Sequence, residues 1–116
     1  MAKYNVHAGH NSIVPGASKY LNEVTENRKV KNKVIQLLKA AGHTVYDCTD
    51  DSGRTVGANL ANIVAKCNKH TVDLDISIHL NAGSGTGTEV FYYTGSATGK
   101  TKAAAVSQKV AAALGI

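Results

Sequence analysis

Two histidines follow two predicted strands, and a glutamate lies in the segment between them. His10 ends the run VHAGH at residues 6–10, and His79 lies in SIHLNA at residues 77–82. In open α/β sheets, ligands gather where the carboxyl ends of strands meet the amino ends of the following helices. Imidazole and carboxylate ligands together favour zinc. The sequence therefore predicts a metal site in which Glu23 joins the two histidines.

The chemistry of such a site is hydrolysis. A zinc ion with three protein ligands keeps a position open for water, which it activates, and it polarises a scissile carbonyl. Each residue also has a structural explanation, because strand-end histidines often hydrogen-bond within a fold and a first-turn glutamate complements the helix dipole. The meeting of all three residues at one edge of the sheet favours the metal site and a reaction on an amide or ester.

Alternating strands and helices must position these residues. Strands are predicted at residues 3–7, 43–48, 72–79 and 88–94, and helices at residues 22–41, 56–69 and 100–114. The order βαβαββα predicts a single α/β domain with an open, mixed or mostly parallel sheet flanked by helices. Asn22 is the predicted N-cap of the first helix and Gly42 its stop. The polar run at residues 49–54 is predicted to be a surface loop.

The first helix is expected to bury one apolar stripe. The predicted members are Val30, Val34, Leu37, Leu38 and Ala41. Extended backwards at helical spacing, the stripe reaches Asn27 and then Glu23, which places two polar side chains on the inward face at the start of the helix. A buried carboxylate needs a partner, so Glu23 is expected to face one.

Composition limits the size of the fold and its partners. With 116 residues, of which 43% are hydrophobic, the chain can form one domain with a modest core. Thirteen lysines and arginines against eight acidic residues give a net charge of +5, which favours a polyanionic partner. These basic residues, Arg28 and Lys29 among them, are dispersed over predicted helix faces without stacking aromatics. Solvated helix faces are therefore predicted, and nucleic-acid binding is not.

Four segments together resemble a known family. They are Gly9-His10, NEVTEN at residues 22–27, SIHLNA at residues 77–82 and GTEVFYY at residues 87–93. The chain resembles, over its whole length and in the same order, the zinc-dependent N-acetylmuramoyl-L-alanine amidases of the Amidase_3 type, especially those of phage endolysins. This resemblance implies cleavage of the amide between N-acetylmuramic acid and the first L-alanine of the peptidoglycan stem. It also implies that His10, Glu23 and His79 are the zinc ligands.

The resemblance also implies that one catalytic residue of the family is missing from these 116 residues. Members of this family are similar in a glutamate on a later strand that serves as general base or acid, and that segment would lie beyond Ile116. Residues 1–116 are accordingly expected to form an Amidase_3-like catalytic domain that is incomplete at its C-terminus and contains no certain catalytic residue. Glu89 is expected to support a loop or the sheet.

Three further polar residues are predicted to assist the site. His7 has two interpretations: it orients a ligand or lines the cleft, or it is an ordinary strand residue. Asn81 follows the second histidine by two positions and is expected to bind substrate or hold its loop. Asn27, one turn after Glu23, is expected to brace that carboxylate or a neighbouring loop.

Two other functions remain open from the sequence. One is a catalytically silent peptidoglycan-binding or remnant module that keeps the fold and the zinc; the other is a different zinc peptidase, such as a carboxypeptidase. Peptidoglycan is the implied partner, and anionic wall polymers fit the positive charge. The chain has no run resembling a signal peptide or a membrane span. It is therefore expected to be made in the cytoplasm and to act on the cell wall after release.

Overall fold

Strands and helices alternate along the chain. The computed structural model describes residues 1–16, 22–80 and 88–115. Its elements are β1 (Lys3–Ala8), α1 (Glu23–Ala40), β2 (Thr44–Asp47), α2 (Val56–Cys67), β3 (Leu74–Ile78) and α3 (Ala97–Leu114). The chain packs as two compact units, Met1–Ala82 and Gly83–Ile116. Among the described helices, none is long and apolar enough to cross a membrane.

The first unit is built on a three-stranded parallel sheet. β1 lies in the centre, with β2 on one side and β3 on the other. Asn5 of β1 is aligned with Tyr46 of β2 and with Asp75 of β3. Because all three strands run the same way, their carboxyl ends meet at one edge. The predicted α/β class and mostly parallel sheet are confirmed.

The second unit corrects the predicted element order. Residues 88–93 have no regular secondary structure, so the strand predicted at residues 88–94 is wrong. Alternating β-formers supply only a preference, since a strand exists through its hydrogen-bonded neighbour. α3 begins at Ala97, three residues before the predicted start, because the Ser96 side chain caps it by accepting a hydrogen bond from Gly99 N (3.0 Å). The observed order is βαβαβα.

The ends of α1 agree with the sequence, but its buried face is shifted. The Asn22 side chain accepts a hydrogen bond from Thr25 N (3.0 Å), and Gly42 follows the helix at φ +92°. Val30 and Leu37 are about half exposed, contrary to the prediction. Lys31 is buried instead, and its Nζ lies 2.9 Å from Asp47 Oδ2 at the end of β2. The inward face is polar over two turns because it contacts strand ends and loops rather than the middle of the sheet.

The loop after β2 is held by one buried carboxylate. Asp50 is 1% exposed, so the prediction of a surface loop is wrong at this residue. Its carboxylate accepts hydrogen bonds from Ser52 N and Oγ, Gly53 N, Asn59 Nδ2, Asn62 Nδ2 and Asn11 Nδ2, at 2.8–3.5 Å. Burial alone would raise the pKa of Asp50, but these donors outweigh it and hold the pKa well below its ordinary value of 3.8.

This carboxylate also explains the face that α2 presents inward. Asn59 is buried and donates to Asp50 Oδ2 (2.9 Å), whereas Leu60 and Val64 are more than half exposed. Ile63 is buried. The first turns of α2 therefore face the Asp50 loop, and apolar burial follows further along the helix.

Replacing Asp50 with asparagine should destabilise the first unit. An Asp50→Asn side chain would point N–H groups at the donors of Gly53 and Asn59 and leave at least one of them without an acceptor. We expect the free energy of unfolding to fall by about 3 kcal/mol, measured by urea denaturation. The control is Asp73→Asn, since Asp73 accepts from Lys3 N on the exposed surface and should change stability by less than about 0.5 kcal/mol. Equal effects of the two substitutions would contradict the role of Asp50.

The same carboxylate predicts a pH dependence. A carboxyl group whose pKa is lower in the folded than in the unfolded protein stabilises the fold above its ordinary pKa, and this stability is lost as the pH falls below that value. We therefore expect the wild-type protein to lose more stability than Asp50→Asn between about pH 5 and about pH 2. Parallel stability curves for the two proteins would contradict this assignment.

Candidate metal centre

Two imidazole rings meet where β1 and β3 end. The chain leaving β1 stays beside β3, because Gly9 N donates a hydrogen bond to Ile78 O (2.9 Å). His10 and His79 follow these two positions directly. Their ring centroids lie 5.2 Å apart, with the ring planes at 90°. The parallel pairing of the strands thus places both predicted histidines at one edge of the sheet.

Glu23 joins the two histidines from the first turn of α1. Its side chain is 3% exposed, with Oε1 3.5 Å from His10 Nε2 and Oε2 3.2 Å from His79 Nδ1. Leu80 N donates a hydrogen bond to Oε2 (2.8 Å). One ligand atom from each of the three residues lies within 4.8 Å of the others. No other group of three or more possible ligands is found among the described residues.

The donor set and its spacing fit a zinc ion. Two ligands that each lie about 2.0–2.1 Å from zinc at the tetrahedral angle stand about 3.4 Å apart. The two distances between histidine nitrogens and Glu23 oxygens, 3.5 and 3.2 Å, bracket that value. Imidazole nitrogen and carboxylate oxygen are both zinc ligands, and Glu23 supplies negative charge in a buried position. The three residues therefore offer a zinc ion suitable ligand atoms that lie within 4.8 Å of one another.

Two glycines let the backbone approach these ligands closely. A Cβ atom on Gly9 would overlap the imidazole ring of His79. A Cβ atom on Gly16 would overlap Glu23 Oε1 and the His10 ring. Gly16 was not predicted to belong to the site, although its place after Pro15 in the loop between His10 and Glu23 was an available signal.

The backbone of His10 has an uncommon conformation. Its φ angle is +58°, in the left-handed region that residues with a Cβ rarely adopt. Gly9 O accepts hydrogen bonds from Asn27 Nδ2 (2.8 Å) and Arg28 Nη1 (2.9 Å), and His10 O accepts from Arg28 Nη2 (2.7 Å). Two consecutive residues of α1 therefore hold the peptide groups on both sides of the His10 α-carbon.

Asn27 and Arg28 differ in how well the sequence predicted them. Asn27 is fully buried, and the Gly9 carbonyl that it contacts fits the predicted brace on a neighbouring loop. Arg28 was predicted on a solvated helix face, but its side chain is only 17% exposed and binds backbone carbonyls. The missed signal was its position beside the inward-facing Asn27, since a charged residue next to a buried polar face can turn towards unpaired carbonyls.

His7 lies near the site but outside the ligand cluster. Its Nδ1 atom is buried and has no hydrogen-bond partner in the part of the chain that the structure describes. Burial, followed by repulsion from His79, lowers the pKa of His7, which favours the neutral ring. An uncharged ring suits a residue that lines the cleft or packs within the strand, and both interpretations stay open.

The remaining predicted site residues are Asn81 and Glu89. Asn81 is outside the described residues. Glu89 belongs to the second compact unit, so its role in supporting a loop or the sheet stays a prediction. Glu26, the other acidic residue in the first turn of α1, pairs with Lys29 Nζ (3.2 Å) on the helix surface. In the described ranges the ligand cluster is therefore the same set that the sequence predicted.

Comparison with known proteins identifies similar chains. The model of a family described as N-acetylmuramoyl-L-alanine amidase, Amidase_3, matches residues 5–116. An uncharacterized protein of Clostridium perfringens (strain 13 / Type A) is 37% identical over 79 residues, which cover 68% of this chain and 23% of that protein. The chain thus spans about a quarter of the length of this relative.

A solved structure has a similar fold. It is that of the CwlD amidase from Clostridioides difficile in complex with the GerS lipoprotein, with a TM-score of 0.79 and 22% sequence identity. The similarity covers 96% of this chain and 66% of that chain. At this identity the match concerns the fold, and it agrees with the parallel α/β architecture described above.

The tight packing of Gly9 against His79 predicts a selective loss of metal binding. Gly9→Ala should displace the His79 ring and lower zinc affinity by at least about tenfold, measured by competition with a chromophoric chelator. Gly57→Ala is the matched control, because a Cβ atom at Gly57 in α2 meets nothing within 4 Å. That control should keep zinc affinity and stabilise the helix by about 0.5–1 kcal/mol. Wild-type zinc affinity in a folded Gly9→Ala protein would contradict the close packing.

Proposed function

The chain belongs to the N-acetylmuramoyl-L-alanine amidase family, and from that membership we propose that it is a zinc-dependent hydrolase of peptidoglycan. The bond cut is the amide between N-acetylmuramic acid and L-alanine. The observation that carries this proposal is the meeting of His10, Glu23 and His79 at the carboxyl edge of the sheet. The proposed localisation is the cell wall, reached after synthesis in the cytoplasm, and the endolysin type predicted from the sequence stays a prediction.

The proposed site assigns a task to each ligand. His10 and His79 approach from neighbouring strand ends, and Glu23 lies between them with one oxygen directed at each ring. When bound, zinc would activate water for attack and polarise the carbonyl of the scissile amide. The Leu80 amide fixes Glu23 Oε2, which keeps the carboxylate oriented towards both histidines. Rigid placement of this kind lowers the reorganisation needed during catalysis.

Proton transfer needs a further group in this proposal. Glu23 is committed to the ligand cluster, and Glu26 is paired with Lys29 on the surface of α1. The family resemblance assigns the general base or acid to a glutamate on a later strand. Peptidoglycan is the proposed partner, and its anionic polymers suit the net charge of +5.

Cleavage of purified peptidoglycan tests this function. The protein, as its gene encodes it, is incubated with purified cell walls, and newly exposed L-alanine amino groups are labelled and counted. We expect release that stops with a chelator and returns with added zinc. A zinc-loaded protein that binds walls without releasing amino groups would contradict the amidase assignment and favour a silent binding module. Release that persists in the chelator would contradict zinc dependence.

The ligand set is tested by metal content. His79→Ala removes one of three ligands, so zinc affinity should fall by more than the roughly 10–100-fold that follows loss of an outer hydrogen-bond partner. His70→Ala is the control, because His70 stacks on Tyr46 with ring centroids 3.6 Å apart and lies outside the ligand cluster. Zinc content measured after dialysis should be wild-type in the control. Unchanged zinc in His79→Ala would remove that residue from the site.

A further inference from the structure

We propose that Arg28 is a positioning residue for the metal ligand His10. The proposal rests on the zinc site proposed above and concerns what keeps one of its ligands in place. Arg28 binds the backbone on both sides of the His10 α-carbon. The guanidinium thus acts on the ligand through the peptide groups that set its direction.

Two nitrogen atoms of the Arg28 guanidinium donate hydrogen bonds to two backbone carbonyl oxygens. Nη1 donates to Gly9 O (2.9 Å), and Nη2 donates to His10 O (2.7 Å). A guanidinium presents its donors in a rigid plane, so it fixes the relative orientation of two acceptors as well as their distance. The two carbonyls belong to successive peptide groups, and their relative orientation depends on the φ and ψ angles of His10. Arg28 therefore stabilises the left-handed conformation at φ +58°.

The guanidinium is itself anchored from two directions. Nη1 also donates to Asn27 Oδ1 (3.0 Å), and Nη2 lies 2.6 Å from Asp51 Oδ1. The loop that carries Asp51 is fixed in turn by the buried Asp50 carboxylate. The Arg28 side chain is 17% exposed and that of Asp51 is 72% exposed, so water screens the Asp51 contact more than the two carbonyl contacts. A continuous set of contacts thus runs from α2 through the loop after β2 to the His10 backbone.

Without these two hydrogen bonds, the left-handed backbone conformation of His10 would lose its main stabilising contacts. A residue with a Cβ atom prefers negative φ, and rotation to that region would redirect the imidazole away from Glu23. Asn27 would still hold Gly9 O, but in the described structure no hydrogen bond to His10 O other than that of Arg28 is recorded. The expected result is a folded protein in which His10 is no longer held in the orientation that zinc binding needs.

The test compares zinc affinity in three single variants. Arg28→Gln should lower affinity by about 10–100-fold, measured by chelator competition on protein shown to be folded by circular dichroism. Arg28→Lys keeps the charge but lacks the planar fork, so it should recover only part of the loss. Lys29→Gln is the matched control, since it removes the neighbouring positive charge from the exposed face of α1, and it should bind zinc as the wild type does. Equal affinity of folded Arg28→Gln and wild type would overturn the proposal.

A double-substitution cycle separates positioning from general support of the fold. In a His10→Ala background, Arg28→Gln should cause almost no further loss of zinc affinity, because its effect passes through His10. The same fold-loss in both backgrounds would overturn the proposal. The visible spectrum of bound cobalt(II) supplies an independent signature: the bands of Arg28→Gln should shift from those of the wild type towards those of His10→Ala, and a wild-type spectrum in Arg28→Gln would also overturn the proposal.

Two further results keep this inference distinct from the proposed function. If Arg28→Gln does not fold, Arg28→Lys takes its place, because it keeps the charge and removes the planar pair of donors; we expect a loss of affinity of a few fold, and no loss would overturn the proposal. If the wild-type protein itself binds no zinc, the zinc site fails and the inference fails with it. If the wild type binds zinc and Arg28→Gln binds equally well, only the positioning role fails.

Discussion

The carbonyl oxygen of Gly9 is the acceptor that connects the sheet, the first helix and the ligand cluster. A buried backbone carbonyl must find donors, and here two consecutive residues of α1 supply them. Their contacts dock the start of α1 onto the end of β1. The same docking brings Glu23, one turn earlier on the inward face, to the two histidines. The hydrogen bonds to the Gly9 carbonyl thus also position the carboxylate of Glu23 beside the two histidines.

Polar contacts carry much of the packing around this edge. Asp50, Asn11 and Asn59 are almost fully buried, and they bind one another and nearby backbone. Such groups are costly to bury unless their hydrogen-bonding capacity is met, so they tolerate few alternative arrangements. The apolar contacts between helices and sheet are less selective about small displacements. The hydrogen bonds at the carboxyl edge of the sheet therefore determine how the elements are placed, while the apolar contacts at the middle of the sheet stabilise the fold.

The sequence predicted the topology and the ligand cluster for a physical reason. Periodicity located three strands and three helices, and parallel strand order requires that His10 and His79 emerge together. Burial was less predictable, because Val30 was expected inside and Lys31 outside, whereas the structure has the reverse. Which polar groups are buried depends on donors and acceptors that tertiary contacts bring near. Arg28 was missed for this reason: two of its acceptors are backbone carbonyls, and its position beside Asn27 was the one sequence signal of its inward turn.

The left-handed backbone at His10 has a consequence for how this protein could change over time. Holding a residue with a Cβ atom there costs roughly 1–2 kcal/mol, which the surrounding contacts must offset. A glycine at the same position would relieve that cost and also remove a ligand. Selection for thermal robustness alone would therefore favour substitutions that abolish the proposed metal binding. A histidine in this conformation fits a site in which the placement of a ligand matters more than the backbone cost.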